Sequence, residues 1–380
     1  MPRIHKIWRE ISKVGTEDIN FRTRIGARIT PSVLLNDNSI TNGAICFGRD
    51  VNGDLYVGQY YQKFLKVSDN LHIVGTLPID VEDPTPGNDG ISYVRGFAFN
   101  ESYLAVVCQI RHLVKIYRKS DYSVVSQIGI YDDLGDPTEN KLSDPRDVLW
   151  LDNGNLLVVS NQGFANGHCS EYDLDGNLIA VRLSSQDDGF SDINTSNIRS
   201  PTAAKLDPND NNFIWITESE GEIVKVDTTN WKIVDVVYPT PGIDSTSIEG
   251  FCFNDQGNIV IASVDFGGIL EVNPNTKQVI NTVDVSWFKS PRDVRDVIHL
   301  NDDLYGIATW SDRNLERGVY IVSTNKSISV EYSNLDIPEG YEIVYDLAPS
   351  GYANNQIEYP VTRIDDVLEK VVIPLKLKCQ

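Results

Sequence analysis

No stretch of the 380 residues approaches the roughly 18 consecutive apolar residues that a membrane-spanning helix needs. The opening MPRIHKIWREISKVG also lacks the apolar core of a secretory signal peptide. Five cysteines (Cys46, Cys108, Cys169, Cys252 and Cys379) are an odd number with no CxxC pair, which argues against a disulfide framework and against a zinc cluster. Cys46, Cys108 and Cys252 fall inside apolar, strand-like runs and read as buried free thiols. The expected setting is therefore a reducing cytoplasm, or a virion if the gene is phage-encoded, with no membrane contact. Catalytic signatures are missing as well. There is no GxSxG, no HExxH and no phosphate-cradling glycine loop, and His5, His72, His112, His168 and His299 include no pair at metal-ligand spacing.

Positive charge is scarce. The formal net charge is −21, and it is unevenly spread. Residues 1–35 carry seven basic residues (Arg3, Lys6, Arg9, Lys13, Arg22, Arg24 and Arg28) against Glu10, Glu17 and Asp18, a net of +4, which leaves −25 on the rest. So acidic a body repels nucleic acid, and none is expected as a partner.

What the chain does have is repetition. GEIVKVDTTNWKIVDVVY (221–238) matches GGILEVNPNTKQVINTVDV (267–285) and HLVKIYRKSDYSVVSQIGI (112–130), each a strand, a polar turn and a second strand. Before each hairpin comes another pair of strands joined by a turn of the D-x-G-N kind, as in RDVLWLDNGNLLVVSNQ and EGFCFNDQGNIVIASVD. The second strands of these pairs begin at Leu55, Tyr103, Leu156, Phe213, Ile259 and Leu304, at intervals of 48, 53, 57, 46 and 45 residues. Four strands per 45–50 residues is the spacing of β-propeller blades.

The turn-and-strand motifs at Asp152–Val158 and Asp255–Ile261, each followed by a [GE]-x-[IL]-x-x-V strand, resemble propellers of the NHL and YVTN types over about residues 40–350. The resemblance implies an all-β fold, a β-propeller of four-stranded antiparallel blades. Seven blades are expected, with six the alternative. A seventh inner strand is read in YEIVYDLAPSGY (341–352), completed by strands from INFRTRIGARITPSVLL near the N-terminus. Three regions follow: a basic arm and ring-closing strand at 1–38, repeats at 39–352, and a closing segment at 353–380. The arm suggests an amphipathic helix with Ile4, Ile7, Trp8 and Ile11 on one face, and 364–380 a short helix followed by a strand.

In this register Arg95, Asp147, Thr202, Glu249 and Asp296 occupy one position of successive inner strands and form a polar ring at a channel mouth. The ring reads mainly as a set of hydrogen bonds and ion pairs tying blades together. Its other reading is a ligand or metal site. Glu249-Gly250 resembles the Glu-Gly of the gluconolactonase family, which implies a divalent cation such as calcium held by Asp147, Glu249 and Asp296, and lactonase or lyase activity. In this chain the pair stands in the fifth repeat, whereas the family carries it in the first. No cofactor is otherwise expected.

The connections at 80–90, 132–144, 184–197 and 238–247 are long and acidic, as recognition loops on a propeller face tend to be. DLDGN at 173–177 reads as a hairpin turn with Gly176 at positive φ rather than a calcium loop. The leading functional expectation is a non-catalytic binding or assembly module, with a phage tail or virion as one setting. Its partners are other protein subunits or its own copies, docked through Arg3, Lys6, Trp8, Arg9, Arg22, Arg24 and Arg28. A carbohydrate- or peptide-binding receptor domain is the third alternative.

Overall fold

The D-x-G-N turns dictate the local structure. At Asp50–Asp54 the Asp50 Oδ1 accepts the N–H groups of Asn52 (2.9 Å) and Asp54 (3.0 Å), and Gly53 takes φ +84°, a conformation that strains any residue with a Cβ. Asn254 repeats the arrangement with Gln256 and Asn258, and Gly257 sits at φ +75°. Each such turn reverses an inner strand into a second strand whose residues are buried on both faces, such as Leu156–Ser160 and Ile259–Ser263. These runs are continuously apolar rather than alternating because blades pack against them from both sides.

The structure is a computed structural model of the full chain. It describes residues 44–59, 64–68, 73–79, 94–130, 140–161, 167–185, 193–239, 247–264, 268–284, 294–301, 304–309 and 318–324, together with the backbone of short strands at 19–22, 29–30 and between 329 and 378. Five blades are each built from four consecutive antiparallel strands, with inner strands Ala44–Arg49, Val94–Phe99, Pro145–Trp150, Pro201–Leu206 and Ile248–Phe253. A composite sheet follows the fifth. Its strands Val294–Asn301, Leu304–Thr309 and Gly318–Ser323 are joined at the outer edge by Ile29–Thr30, with Ile29 opposite Val322 and Thr30 opposite Ile321. The inner strand Val294–Asn301 packs on Ala44–Arg49 of the first blade, so the inner strands close a ring.

Apolar clusters fill the spaces between sheets. Phe64 and Tyr56 of the first blade meet Phe97 and Leu104 of the second, and Leu157 and Val159 of the third meet Ile214 and Val224 of the fourth. Another cluster joins Leu55 and Val57 to Leu300, Ala308 and Val319 of the composite sheet. Each blade therefore buries both faces against neighbours, and ring closure leaves no inner strand with an open flank.

Three sequence expectations are corrected. The seven blades favoured and the six considered give way to five blades of consecutive strands, with the composite sheet closing the ring between the fifth and the first. The segment expected to open a seventh blade instead places Tyr341–Ile343 against Gln356–Arg363, in a sheet completed by Gly351–Ala353 and Leu368–Pro374. Its hydrogen bonds are used within that sheet, and contact between Val294–Asn301 and Ala44–Arg49 leaves no gap for another blade. The short helix expected near the C-terminus is replaced by the strands Leu368–Pro374 and Lys376–Lys378. The β-branched run Val371-Val372-Ile373, paired along its length with Gln356–Tyr359, favours the extended form.

The N-terminal segment does supply strands, but to other partners. Ile29–Thr30 joins the composite sheet, and Ile19–Arg22 pairs with Ser329–Tyr332, which in turn pairs with Lys376–Lys378. The proposed N-terminal helix, with Arg3, Lys6, Trp8 and Arg9, lies outside the described residues, as do Arg24, Arg28 and most of the long acidic connections. Of the arm's basic residues only Arg22 falls in a described strand.

Candidate functional site at the channel mouth

The first residues of the inner strands share an irregularity. In each sheet the pairing of inner and second strands skips a residue near the mouth: Pro145 faces Ser160 and Asp147 faces Val159, Pro201 faces Glu218 and Ala203 faces Thr217, Val294 faces Thr309 and Asp296 faces Ala308. A β-bulge of this kind turns one side chain out of the sheet. The shared position holds Ile45, Arg95, Arg146, Thr202, Glu249 and Arg295, all lining one pocket at the channel mouth. The position one step deeper holds Cys46, Gly96, Asp147, Ala203, Gly250 and Asp296.

The register read from sequence is thus one residue out at two places. Arg95, Asp147, Thr202, Glu249 and Asp296 do share the pocket, but Asp147 and Asp296 stand one level below the other three. Their places in the outer ring belong to Arg146 and Arg295, which sequence reasoning left out of the candidate set. The signal was available in the paired Arg-Asp-Val motifs, where the arginine, and not the aspartate, aligns with the residue before Gly96 and Gly250.

Glu249 is the electrostatic centre of the outer ring. Its carboxylate forms an ion pair with the buried Arg95 from across the ring, accepts a hydrogen bond from Arg295 Nη1 at 3.0 Å, and has Arg146 Nη1 at 3.5 Å. Arg146 is in turn held by Asp144 through Nε (2.8 Å) and Nη2 (2.6 Å). Burial, with Arg146 and Arg295 nearby, pulls the pKa of Arg95 down to about 9, so its guanidinium stays charged at neutral pH.

Asp147 and Asp296 act as fasteners between sheets. Asp296 on the composite sheet uses Oδ1 for its neighbour's N–H in Val297 (2.8 Å) and Oδ2 for the Phe47 N–H of the first blade (2.7 Å). Asp147 on the third blade does the same with the N–H groups of Val148 (2.9 Å) and of Ala204 on the fourth (3.1 Å). Each also presses on the preceding sheet. A Cβ at Gly250 would lie 2.2 Å from Asp296 Oδ1, and one at Gly96 would lie 2.4 Å from Asp147 Oδ1. Glycine follows Glu249 and Arg95 because only a bare Cα admits the neighbouring carboxylate. Each aspartate therefore ties together three successive sheets.

Burial raises the pKa of Asp147 against the opposing pull of Lys205 and of the Ala204 and Val148 amides. Burial likewise lifts Asp296 to about 6, although Lys205 and two backbone N–H groups favour its ionised form. Thr202, the remaining candidate, bonds within its own blade through Oγ1, to the Thr217 carbonyl (3.1 Å) and hydroxyl (3.0 Å).

The three carboxylates are not gathered as a cation would need. Among the described residues no three His, Cys, Asp or Glu side chains converge on a common point. Glu249 is surrounded by guanidinium groups, and each aspartate directs both oxygens at backbone amides. The four described cysteines, Cys46, Cys108, Cys169 and Cys252, are buried free thiols whose pKa values burial raises. DLDGN forms the expected hairpin turn, with Gly176 at φ +85° and Asp173 Oδ1 bonded to the Asn177 N–H at 2.8 Å.

Four-stranded antiparallel sheets set around a channel lined by their first strands define a β-propeller. Comparison with solved structures agrees. A protein assigned to the gluconolactonase family superposes with a TM-score of 0.50 at 11% identity, covering 79% of this chain and 93% of that one. The β-propeller domain of Cps50 (Swd1) from Myceliophteria thermophila gives 0.49 at 10% identity over 74% of this chain and 97% of its own. A streptogramin B lyase gives 0.48 at 11% identity over 95% and 97%. At such identities the likeness is one of fold alone. No family model and no curated protein matches the chain.

Proposed function

We propose that the protein is a non-catalytic propeller that serves as a binding or assembly module in a larger protein complex. The observation that carries this reading is the commitment of the channel-mouth carboxylates to holding the ring together: Glu249 by three arginines, Asp147 and Asp296 by amides of adjoining sheets. A hydrolytic or eliminating propeller of the gluconolactonase kind would need such oxygens on a cation instead. The partner surface in this proposal is the loop face, and the basic arm from Arg3 to Arg28 docks on an acidic protein surface such as that of another copy. A virion is one such complex, and its presence in purified particles would be decided by mass spectrometry.

The test combines metal and lactone. With calcium, manganese or zinc at 1 mM (a millimolar trial level), a site of about micromolar affinity would stabilise the native state by roughly 4 kcal/mol, which a melting curve resolves readily. We expect no such shift and no metal-dependent hydrolysis of a sugar lactone. A stoichiometric shift abolished by Glu249→Gln would transfer the assignment to a metal-dependent lactonase or lyase.

A further inference from the structure

One charged residue in the channel serves neither the outer ring nor the fasteners. Lys205 lies on the inner strand Pro201–Leu206, three residues below Thr202, and its side chain reaches the same pocket. Inner strands set in common register by their bulges place Gly48, Ala98, Leu149, Cys252 and Ile298 at the equivalent level. Lys205 is thus the single ionisable ammonium of an otherwise apolar tier. Among the described residues its Nζ makes no hydrogen bond and no ion pair within 4 Å. The ammonium lies over the Phe251 ring, 5.8 Å from its centroid. Asp147 and Asp296 are near enough to keep the ammonium protonated against burial, and each of their oxygens accepts a backbone N–H rather than the ammonium.

An ammonium carries three donors, and that of the half-buried Lys205 finds no protein acceptor among the described residues to take them. The pocket wall supplies few. Four cations (Arg95, Arg146, Lys205 and Arg295) line the pocket with three carboxylates, and Asp144 pairs with Arg146 just outside it, so the arginines are matched by Glu249 and Asp144 while the Lys205 ammonium has no carboxylate within 4 Å. An unmatched ammonium in a narrow cleft disfavours a divalent cation and suits an anion.

We propose that the channel mouth binds a small oxyanion, the carboxylate or phosphate group of a small molecule, which passes the arginine ring and is held by the Lys205 ammonium. Lys205 supplies charge and donors from below, beneath a rim where Arg146 and Arg295 stay paired with Asp144 and Glu249. This site is independent of any partner docked on the loop face or the arm, so it stands or falls separately from the assembly reading.

The probes are inorganic phosphate and acetate, titrated into the full-length protein against sodium chloride of equal ionic strength. Saturating ligand should raise the melting temperature by about 5 °C, and whichever probe acts identifies the headgroup. Lys205→Met keeps the aliphatic stem against Phe251 and should weaken binding at least tenfold, while Lys205→Arg should retain it. Calorimetry on the unaltered protein should give one site per chain, a result that does not depend on a variant folding. Equal shifts with chloride, calorimetry without a single site, or full binding by Lys205→Met would overturn the proposal and leave the ammonium to water alone.

Discussion

Replacing Asp296 with asparagine isolates the cost of ionising a fastener inside the ring. Asp296 is buried, and its pKa stands near 6 in the folded protein against about 3.9 in an unfolded chain. A carboxyl whose pKa is raised on folding takes up protons in the native state. Its contribution to stability is full below about pH 4 and is lost as pH rises through about 6. At 1.36 kcal/mol per pH unit the loss amounts to about 3 kcal/mol by pH 7.5. Asparagine has the shape of the protonated acid but does not titrate. The variant should therefore match the parent within about 1 kcal/mol at pH 4 and become progressively more stable than it, by up to about 3 kcal/mol at pH 7.5. Urea unfolding of both proteins across that range gives the difference directly, free of all carboxylates that titrate alike in the two. A difference that is flat with pH would refute the reasoning, because it would mean that Asp296 ionises in the fold as easily as in water.

Gly250→Ala and Gly96→Ala should each destabilise by about 1–3 kcal/mol, since the added methyl meets Asp296 or Asp147 well inside contact distance. Gly75→Ala, where a Cβ meets nothing within 4 Å, should fall within about 0.5 kcal/mol of the parent in the same unfolding assay. Glu249→Gln removes the one carboxylate that three arginines share and should lower stability by about 3 kcal/mol or more, as uncompensated buried charge does. Native protein titrated with an aromatic disulfide at pH 8 (a standard mildly alkaline condition) should release no more than one equivalent of thiolate. Cys46, Cys108, Cys169 and Cys252 are buried with raised pKa values, and only Cys379 lies outside the described residues.

The blades were legible because their signals are local. These turns place a glycine at positive φ, and at Asp50, Asp173 and Asn254 a side-chain acceptor stands three residues before it, so the signal lies in a few consecutive letters. The number of blades was not legible, because it depends on where strands from opposite ends of the chain pair. Ile29–Thr30 finds Ile321 and Val322 almost three hundred residues away, and nothing in ITPS announces that partner. The channel site was legible in part. Arg95, Thr202 and Glu249 line the pocket at one level, while the bulge at the head of each inner strand sets Asp147 and Asp296 one level deeper. Lys205 was missed for a related reason. In TAAKLD it resembles an ordinary polar residue before a turn, and its solitude appears only when six strands are set in register around a common axis.

Fastening of one sheet to the next by the channel-mouth aspartates is tested most directly by hydrogen exchange at two amides. The Phe47 and Ala204 N–H groups point at Asp296 Oδ2 and Asp147 Oδ2, so both should be strongly protected in the unaltered protein. Asp296→Ala should expose Phe47 to exchange at least a hundredfold faster while Ala204 stays slow, and Asp147→Ala should do the reverse. Rapid exchange at both amides in the unaltered protein, or protection at Phe47 that survives loss of the Asp296 carboxylate, would contradict the claim.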